Sequence, residues 1–364
     1  MKLLYILDTL INSNTGVVKK VFECTSDWTN NGIESFILEY PTGAVYDSKF
    51  KLVIDPILKL EEAKCRIGWF GILNRRAKGL KNAIIKISPD ITYLRETIWT
   101  PSLMRALNGH RFIIEINSNP IPEIRKRSLI AALYVKSTRK ILLNKSSGII
   151  CVTNELCNDL KVNKKYKTII PNGVKINDLN IQHSKTNILK RKPSVLFLGS
   201  GHQNWNGIDK ILKFAKRHKE FNFNFIGIEG TNEDNIKYHG YRPHEYIDKV
   251  SSGSDVAFST FALHRKNMRE ACPLKSRYYL ERGLPIVIGY NDPDIICEHD
   301  FVLNIGNYEK NVFTNESGIV DFIYKCASDK MIAKNAREFA VKKLSLNIKE
   351  KNRLQFINRI LNEQ

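Results

Sequence analysis

Cations and a single carboxylate are concentrated between Lys266 and Pro285, in the stretch KNMREACPLKSRYYLERGLP. The carboxylate is Glu270, and its basic neighbours are Lys266, Arg269, Lys275 and Arg277. Pro273 and Leu274 are typical of the first turn of a helix, here one that runs to about Arg282. Because free N–H groups at a helix N-terminus attract anions, the stretch predicts a diphosphate site. The alternative is a surface helix with a solvated run of charges.

A glycine-rich turn follows the predicted strand Ser194–Leu198, at a place where a phosphate could meet backbone N–H groups. The turn is Gly199-Ser200-Gly201, and a helix is predicted after it. The dinucleotide fingerprint GxGxxG is incomplete, because position 204 is Asn and no acidic residue follows at the required spacing. A structural turn is the favoured interpretation, and Gly16, in the first strand–helix loop, has the same two interpretations.

Side chains that bind metals are present but lack the spacing of a ligand set. The eight histidines show no HExxH pattern, and the seven cysteines form no CxxC pair, so no metal site is predicted. Asp292-Pro293-Asp294 mimics a metal-binding DxD, but beside Gly289 and Asn291 turn chemistry is the favoured interpretation. The odd, scattered cysteines also argue against a disulfide framework and indicate a reducing compartment.

The elements that position these residues alternate between strand and helix in two series. The first series begins with the strand Lys2–Leu7 and the second with Ser194–Leu198, and each has a glycine-containing loop and a helix after its first strand. This pattern predicts an α/β fold of two Rossmann-like, doubly wound domains that face a central cleft. We expect the domains at residues 1–172 and 173–346, joined by Pro171-Asn172-Gly173 and a polar stretch to about Pro193. A C-terminal helix at 347–364 is expected to pack back onto the first domain.

The amino-acid composition limits the classes of molecule that the protein is expected to bind. The chain has 364 residues, 43% of them apolar, which excludes a disordered or low-complexity protein. Its formal charge of +20 indicates nucleic acid, anionic lipid or a phosphorylated substrate, and the alternative is the Lys- and Asn-rich surface of a compositionally biased genome. No apolar run approaches the ~20 residues of a membrane span. Asp8 interrupts the opening MKLLYIL, which is interpreted as a buried strand of a cytoplasmic or peripheral protein.

Two basic segments are candidates for docking on a membrane. The first begins at Ile67-Gly68, contains Trp69 and Phe70, and continues through basic residues to Lys81. The second is Arg125-Lys126-Arg127, followed by an apolar helix that carries Lys136, Arg139 and Lys140. Apolar faces flanked by cations suit anionic headgroups. The alternative, for each segment, is a helix packed on its own sheet with a charged outer face.

Several motifs resemble those of retaining, GT-B-fold glycosyltransferases of family 4. The family's donor motif has a Glu, seven residues and a second Glu before Gly-x-Pro, and Glu270, Tyr278 and Gly283-Leu284-Pro285 occupy these positions. Four further segments follow the family in order along most of the chain: Ile149–Thr153, Ile170–Val174, Phe197–Lys210 and His239–Val256. The resemblance implies transfer of a sugar from a nucleotide diphosphate donor, with retention and with no metal or other cofactor.

The resemblance also implies roles for individual residues. Glu270 falls near the hydroxyls of the donor sugar, the backbone at Pro273 and Leu274 meets the phosphates, and Gly16 and Gly199 lie on loops that approach the same diphosphate. Ser200 and Asn206 stand where the family usually has cations, and Tyr278 stands where it usually has the ribose-binding Glu. The missing charge is then expected from Lys275, together with Lys266 or Arg269. The hydroxyl of Tyr278 is expected on the ribose, and the alternative is a core aromatic residue.

The acceptor is expected in the N-terminal half. Glu115 ends the strand Phe112–Ile116 and is predicted to orient an acceptor hydroxyl or act as a base, or else to be a structural carboxylate that caps a helix. The predicted function is sugar transfer to a glycan or lipid-linked acceptor in bacterial surface polysaccharide synthesis (lipopolysaccharide or capsule), at an anionic inner membrane face. The alternatives are an inactive glycosyltransferase-like binding protein and a nucleic-acid-binding α/β protein. Nucleic acid is disfavoured because Lys and Arg are spread over the whole chain.

Overall fold

A computed structural model describes residues 1–13, 15–58, 69–162, 165–177 and 191–363. The chain forms two compact units, one of residues 1–170 with 349–364 and one of residues 171–348. The sequence places the domain boundaries after 172 and 346. Most of the predicted polar join, at 178–190, lies outside the described residues, as do Ile67 and Gly68 of the first basic segment.

The first unit is built on an eight-stranded sheet in the order β4-β3-β2-β1-β5-β6-β7-β8. Its strands are β1 Lys2–Leu7, β2 Glu34–Glu39, β3 Ala44–Asp47, β4 Leu52–Ile54, β5 Ile91–Arg95, β6 Phe112–Ile116, β7 Gly148–Cys151 and β8 Lys167–Ile169. All pairs are parallel except β2–β3 and β3–β4, which form an antiparallel edge that the sequence pattern does not predict. The central strands are buried on both faces, as parallel strands under helices require.

Helices connect these strands and cover the sheet. They are α1 Gly16–Asn30, α2 Trp69–Ile87, α3 Pro101–Leu107, α4 Ile121–Arg127, α5 Leu129–Lys145 and α6 Asn154–Asp159. Four of these helices are capped at the N-terminus by a hydroxyl side chain that accepts a hydrogen bond from a backbone N–H group. The capping residues are Thr15 for α1, Thr100 for α3, Ser128 for α5 and Thr153 for α6. Each cap satisfies one of the amide groups that a helix start leaves free.

The second unit is built on a parallel sheet in the order β11-β10-β9-β12-β13-β14. Its strands are β9 Ser194–Leu198, β10 Asn222–Ile226, β11 Ile236–Tyr238, β12 Val256–Phe258, β13 Ile286–Ile288 and β14 Val302–Asn304. Its helices are α7 Ile208–Arg217, α8 His244–Ser252, α9 Leu274–Glu281, α10 Asn311–Thr314, α11 Glu316–Ser328 and α12 Lys330–Phe339, with α13 Leu346–Asn362 at the C-terminus. The prediction of two α/β domains on parallel sheets is confirmed. In the described part of the chain, no helix is long and apolar enough to cross a membrane.

Most of α13 belongs to the first unit, where buried polar groups hold it. Glu350 accepts a hydrogen bond from the indole of Trp28 at 2.8 Å, and Arg353 donates from Nε to the Tyr93 hydroxyl at 2.9 Å. Glu350 and Arg353 are each 1% exposed and form an ion pair with each other. Removing one partner of such a pair would leave a buried charge uncompensated, so α13 is fixed in the first unit.

Candidate functional site

The N-terminus of α9 carries free amide groups in the middle of the stretch Lys266–Pro285. Pro273 precedes the helix in an extended conformation and supplies no capping side chain. Among the described residues, nothing accepts a hydrogen bond from the amide groups of Leu274 and Lys275. The partial positive charge of a helix start is therefore uncapped here, which is the arrangement that binds an anion.

Lys275 is a cation without a counter-ion. Its Nζ donates to Oδ1 of Asn206 at 2.8 Å and lies 4.3 Å from the ring centroid of Phe197, but no carboxylate in the described part of the chain pairs with it. Burial removes the ammonium from water, and this desolvation lowers the pKa of Lys275 from 10.5 to about 7. An anion placed beside Nζ would restore the charge that burial disfavours.

Asn206 links Lys275 to the loops at the carboxyl ends of two neighbouring strands. Its Nδ2 donates to the Ser200 carbonyl at 3.2 Å, in the loop after β9. Its Oδ1 lies 3.4 Å from the Thr260 hydroxyl, which follows β12. Since β9 and β12 are parallel neighbours, these loops and the start of α9 meet at one edge of the sheet, the place where α/β sheets bind ligands. The structure thus brings together Gly199, Ser200, Asn206 and Lys275 from the predicted set.

Gly207, which follows Asn206, is required by the backbone of this edge. Its φ of 72° lies in the left-handed region, and a Cβ at this position would lie 2.9 Å from Cβ of Phe261. A side chain would therefore be both strained and too close to its neighbour. The glycine allows the short 3₁₀ turn Asn204–Asn206 to pass directly into α7.

Lys266 and Glu270 lie on the segment that leads into α9. Lys266 is 8% exposed, and its Nζ lies 4.4 Å from the ring centroid of Trp205. Glu270 is half-buried, and its backbone is fixed because Ala271 donates to the Asn291 carbonyl at 3.0 Å while Asn291 donates to the Arg269 carbonyl at 3.0 Å. Glu270 is thus placed by main-chain pairing immediately before the free amide groups.

Arg277 is not available to an external anion, although the sequence counts it among the cations around Glu270. Its side chain is fully buried and donates to Asp292 and Asp294, each at 2.8 Å. Its Nε donates to the Asn172 carbonyl at 3.1 Å. The DxD-like carboxylates are thus used inside the protein, and the Asp294 amide donates to Oδ1 of Asp292 at 3.0 Å, as the turn interpretation predicts. Arg277 braces the second turn of α9 against the 171–173 segment.

Tyr278 is placed differently from the ribose-binding expectation. Its hydroxyl donates to Oδ1 of Asp248 at 2.7 Å and lies 3.1 Å from the Ser251 hydroxyl, and both partners belong to α8. The guanidinium of Arg282 lies 4.3 Å from its ring centroid and also binds Asp248. The hydroxyl is therefore committed to joining α9 to α8. This geometry favours the alternative that the sequence left open, a structural aromatic residue.

Glu115 is also placed differently, because it is 0% exposed at the end of β6. It forms a buried ion pair with Lys20 of α1, and the Tyr5 hydroxyl lies 3.5 Å from its Oε2. Burial alone would raise the pKa of Glu115, but the charges of Lys20, Arg353 and Arg95 outweigh burial and hold this pKa well below its usual range. A carboxylate held ionised and enclosed is a poor general base, so the acid–base expectation is not supported. It ties β6 to α1 rather than capping a helix.

Gly16 is exposed at the first turn of α1, where Thr15 caps the helix by accepting from the Val18 amide. This helix follows β1, the counterpart of β9 in the first unit. The predicted role of Gly16 at a diphosphate stays a prediction.

Comparison with known proteins establishes the fold. No protein-family model matches the chain, and no curated protein sequence matches it. Solved structures do: a sucrose-phosphate synthase from Thermosynechococcus elongatus is 14% identical with a TM-score of 0.73, over 100% of both chains. HepE from Anabaena, solved in complex with UDP and glucose, is 14% identical with a TM-score of 0.65, over 99% of this chain and 100% of that one. An α-glucosyltransferase in complex with UDP and a 13-mer DNA is 12% identical with a TM-score of 0.66, over 98% and 99%. The chain has the GT-B fold of these glycosyltransferases.

Proposed function

We propose that this GT-B chain is a glycosyltransferase that takes its sugar from a nucleotide diphosphate donor. The observation that carries the proposal is Lys275, a half-buried cation without a carboxylate partner beside the uncapped amide groups of α9. Two of the similar structures were solved with UDP, which supports a nucleotide of this class as donor product. The edge of the sheet where Lys275 lies is the edge at which α/β folds bind nucleotides.

Charge balance supports a diphosphate held by the protein alone. A donor diphosphate carries two negative charges, against which the site sets the ammonium of Lys275 and the helix start, worth about half an elementary charge. Lys266, a buried cation, precedes Glu270 by four residues in the chain. In this proposal the Leu274 amide binds a phosphate oxygen, Asn206 holds Lys275 in place, and Glu270 binds hydroxyls of the donor sugar. No metal or other cofactor is needed, and the reaction proceeds with retention of the anomeric configuration.

The proposed acceptor is a glycan or lipid-linked glycan of a bacterial surface polysaccharide, at the cytoplasmic face of the membrane. The net charge of +20 supports an anionic surface near the acceptor. A chain that binds the donor without turnover is the second candidate, because Ser200 and Asn206 supply no charge and the Tyr278 hydroxyl is bound to Asp248. Measuring donor binding and transfer separately distinguishes the two.

The test is a thermal-shift series with UDP-glucose and UDP-N-acetylglucosamine in EDTA. Ligand at 100 times its dissociation constant should stabilise the protein by roughly 2.7 kcal/mol. Lys275→Gln should reduce the shift to roughly half or less, whereas the control Lys310→Gln, at an exposed position on the same unit, should preserve it. Donor hydrolysis or transfer then separates enzyme from binding protein, and the anomeric configuration of the product, read by NMR, tests retention. The absence of a shift with any nucleotide sugar would refute the proposal.

A further inference from the structure

Helix α5 turns a group of aliphatic side chains outward. Leu129, Ile130 and Leu133 are 57%, 82% and 57% exposed. They are neighbours on the helix surface, since 129 and 133 are four residues apart and 130 and 133 are three apart. The opposite face of α5 is buried, through Ala132 and Val135 among others. The outward group is therefore additional to the apolar face that holds α5 on its unit, and it leaves three adjacent aliphatic side chains open to contact with a partner.

Basic side chains flank this group on both sides. Helices α4 and α5, residues 121–145, contain seven Lys or Arg and one acidic residue, Glu123. Arg139 is bound to Glu96, whereas the other six are exposed and have no ion-pair partner in the described part of the chain. We define the α4–α5 surface as Arg125–Arg127, Leu129, Ile130, Leu133, Lys136 and Lys140. It combines unpaired positive charge with exposed aliphatic area.

The other basic segment lacks this combination. In α2, Leu73, Ala77 and Leu80 are buried while Arg75 and Lys78 face outward. That is the pattern of a helix packed on its own sheet with a charged outer face, which was the alternative for this segment. Only the backbone of Trp69 and Phe70 is described, and Ile67 and Gly68 lie outside the described residues. The inference therefore rests on α4 and α5 alone.

We propose that the α4–α5 surface docks on an anionic phospholipid bilayer. The basic residues meet the headgroup phosphates, and Leu129, Ile130 and Leu133 enter the boundary between headgroups and acyl chains. Aliphatic side chains distinguish a bilayer from nucleic acid, whose bases would be met by aromatic residues. The one aromatic residue of the segment, Tyr134, is half-buried, and its hydroxyl donates to the Trp99 carbonyl at 3.0 Å. This inference names the membrane-facing surface of the proposed enzyme, but its test does not require sugar transfer.

The experiment measures sedimentation of the full chain with vesicles of phosphatidylglycerol and phosphatidylcholine, and with pure phosphatidylcholine. Binding is expected with the anionic vesicles alone, and salt should release it as the Debye length falls from about 10 Å at 0.1 M to about 3 Å at 1 M. The variant Arg125→Gln/Lys126→Gln/Arg127→Gln should bind about 100-fold more weakly, since each basic residue near an anionic surface is worth roughly fivefold. The control Lys310→Gln/Lys325→Gln/Lys330→Gln removes the same charge from exposed positions elsewhere and should bind like the wild type.

A second variant isolates the aliphatic contribution. Leu129→Gln/Ile130→Gln/Leu133→Gln keeps every charge and changes side chains that are already exposed, so the fold should persist by circular dichroism. Its vesicle binding should fall to a weak level that moderate salt removes completely. Wild-type binding by this variant, or equal losses for the basic triple and its control, would overturn the proposal. Binding to a 20-mer DNA duplex that the basic triple abolishes, without vesicle binding, would identify nucleic acid instead. A dimer that the aliphatic triple dissociates, again without vesicle binding, would identify a second copy.

Discussion

The pH dependence of donor binding follows from the state of Lys275. In the free protein the pKa of Lys275 is about 7, because burial disfavours its charged form. A diphosphate beside Nζ favours the charged form and must raise this pKa, so binding takes up a proton when the pH exceeds about 7. Affinity for a nucleotide sugar should therefore be constant below pH 7 and fall about tenfold for each pH unit above it.

The expected loss of affinity is large enough to measure between about pH 6 and about pH 8.5. UDP-glucose keeps a constant charge on its diphosphate between about pH 6 and about pH 8.5, so the ligand itself adds no slope there. With a pKa of about 7, its dissociation constant should rise roughly 30-fold across that range. Isothermal titration calorimetry measures the constant, and the same titrations in buffers of different ionisation enthalpy should show proton uptake at about pH 8.

Two substitutions separate this cause from others. Lys275→Gln removes the ammonium, so affinity at pH 6 should fall roughly 10- to 150-fold, the worth of a hydrogen bond to a charged group, and the slope should vanish. Lys275→Arg keeps a charge at every pH and should flatten the profile while retaining affinity. A flat profile for the wild type, or an unchanged slope in Lys275→Gln, would show that Lys275 does not meet the phosphates.

Substitutions at Glu270, Tyr278 and Glu115, and removal of divalent metal ions, test the other roles. Glu270→Ala should abolish transfer and leave the fold intact and UDP affinity unchanged; a loss of UDP affinity would move Glu270 from the sugar to the nucleotide. Tyr278→Phe should lower the free energy of unfolding by about 1 kcal/mol through the lost hydrogen bond to Asp248, whereas weaker UDP binding would restore the ribose role. Glu115→Gln should lower the free energy of unfolding by about 3 kcal/mol at pH 7, because it leaves the buried charge of Lys20 without a partner. Because the pKa of Glu115 is depressed in the folded protein, the difference in free energy of unfolding between wild type and variant should shrink as the pH falls below about 4.5. Chemical denaturation at several pH values measures this difference. Transfer should persist in EDTA, and activity that collapses and returns with manganese would contradict this.

The fold was predictable because each signal was local. A buried strand, a glycine-containing loop and a helix start each leave a mark within a few residues, and their repetition after Ser194 indicates a second parallel sheet. The antiparallel strands β3 and β4 were missed because they are short and lie at the edge of the first sheet, next to a hairpin turn with no alternation strong enough to identify it. Residues 44–54 contain only seven strand residues, too few for periodicity to be decisive.

The sequence predicts which segments carry the candidate residues, but not the partner of each side chain. Spacing along the chain places Lys275 and Tyr278 on the same short helix, three residues apart, but it does not say which faces the loop after β9 and which faces α8. In the structure Lys275 reaches Asn206 and Tyr278 reaches Asp248. Glu115 illustrates the same limit, since its partner Lys20 is 95 residues away in sequence and no local signal connects them.

The net positive charge indicates where anions could bind only after the cations that already pair with groups inside the protein are set aside. Arg277 forms ion pairs with Asp292 and Asp294, and Lys20 forms one with Glu115. Lys210 of α7, four residues after Asn206, donates to the carbonyl of Tyr308 at 2.9 Å and to Oδ1 of Asn311 at 3.1 Å. Cations that fold the protein cannot also recruit ligands, because their geometry is already fixed by internal acceptors. What is left without a carboxylate partner includes Lys275 at the α9 terminus and the basic flanks of α5, and these are the places where a phosphate from outside would replace the missing counter-ion.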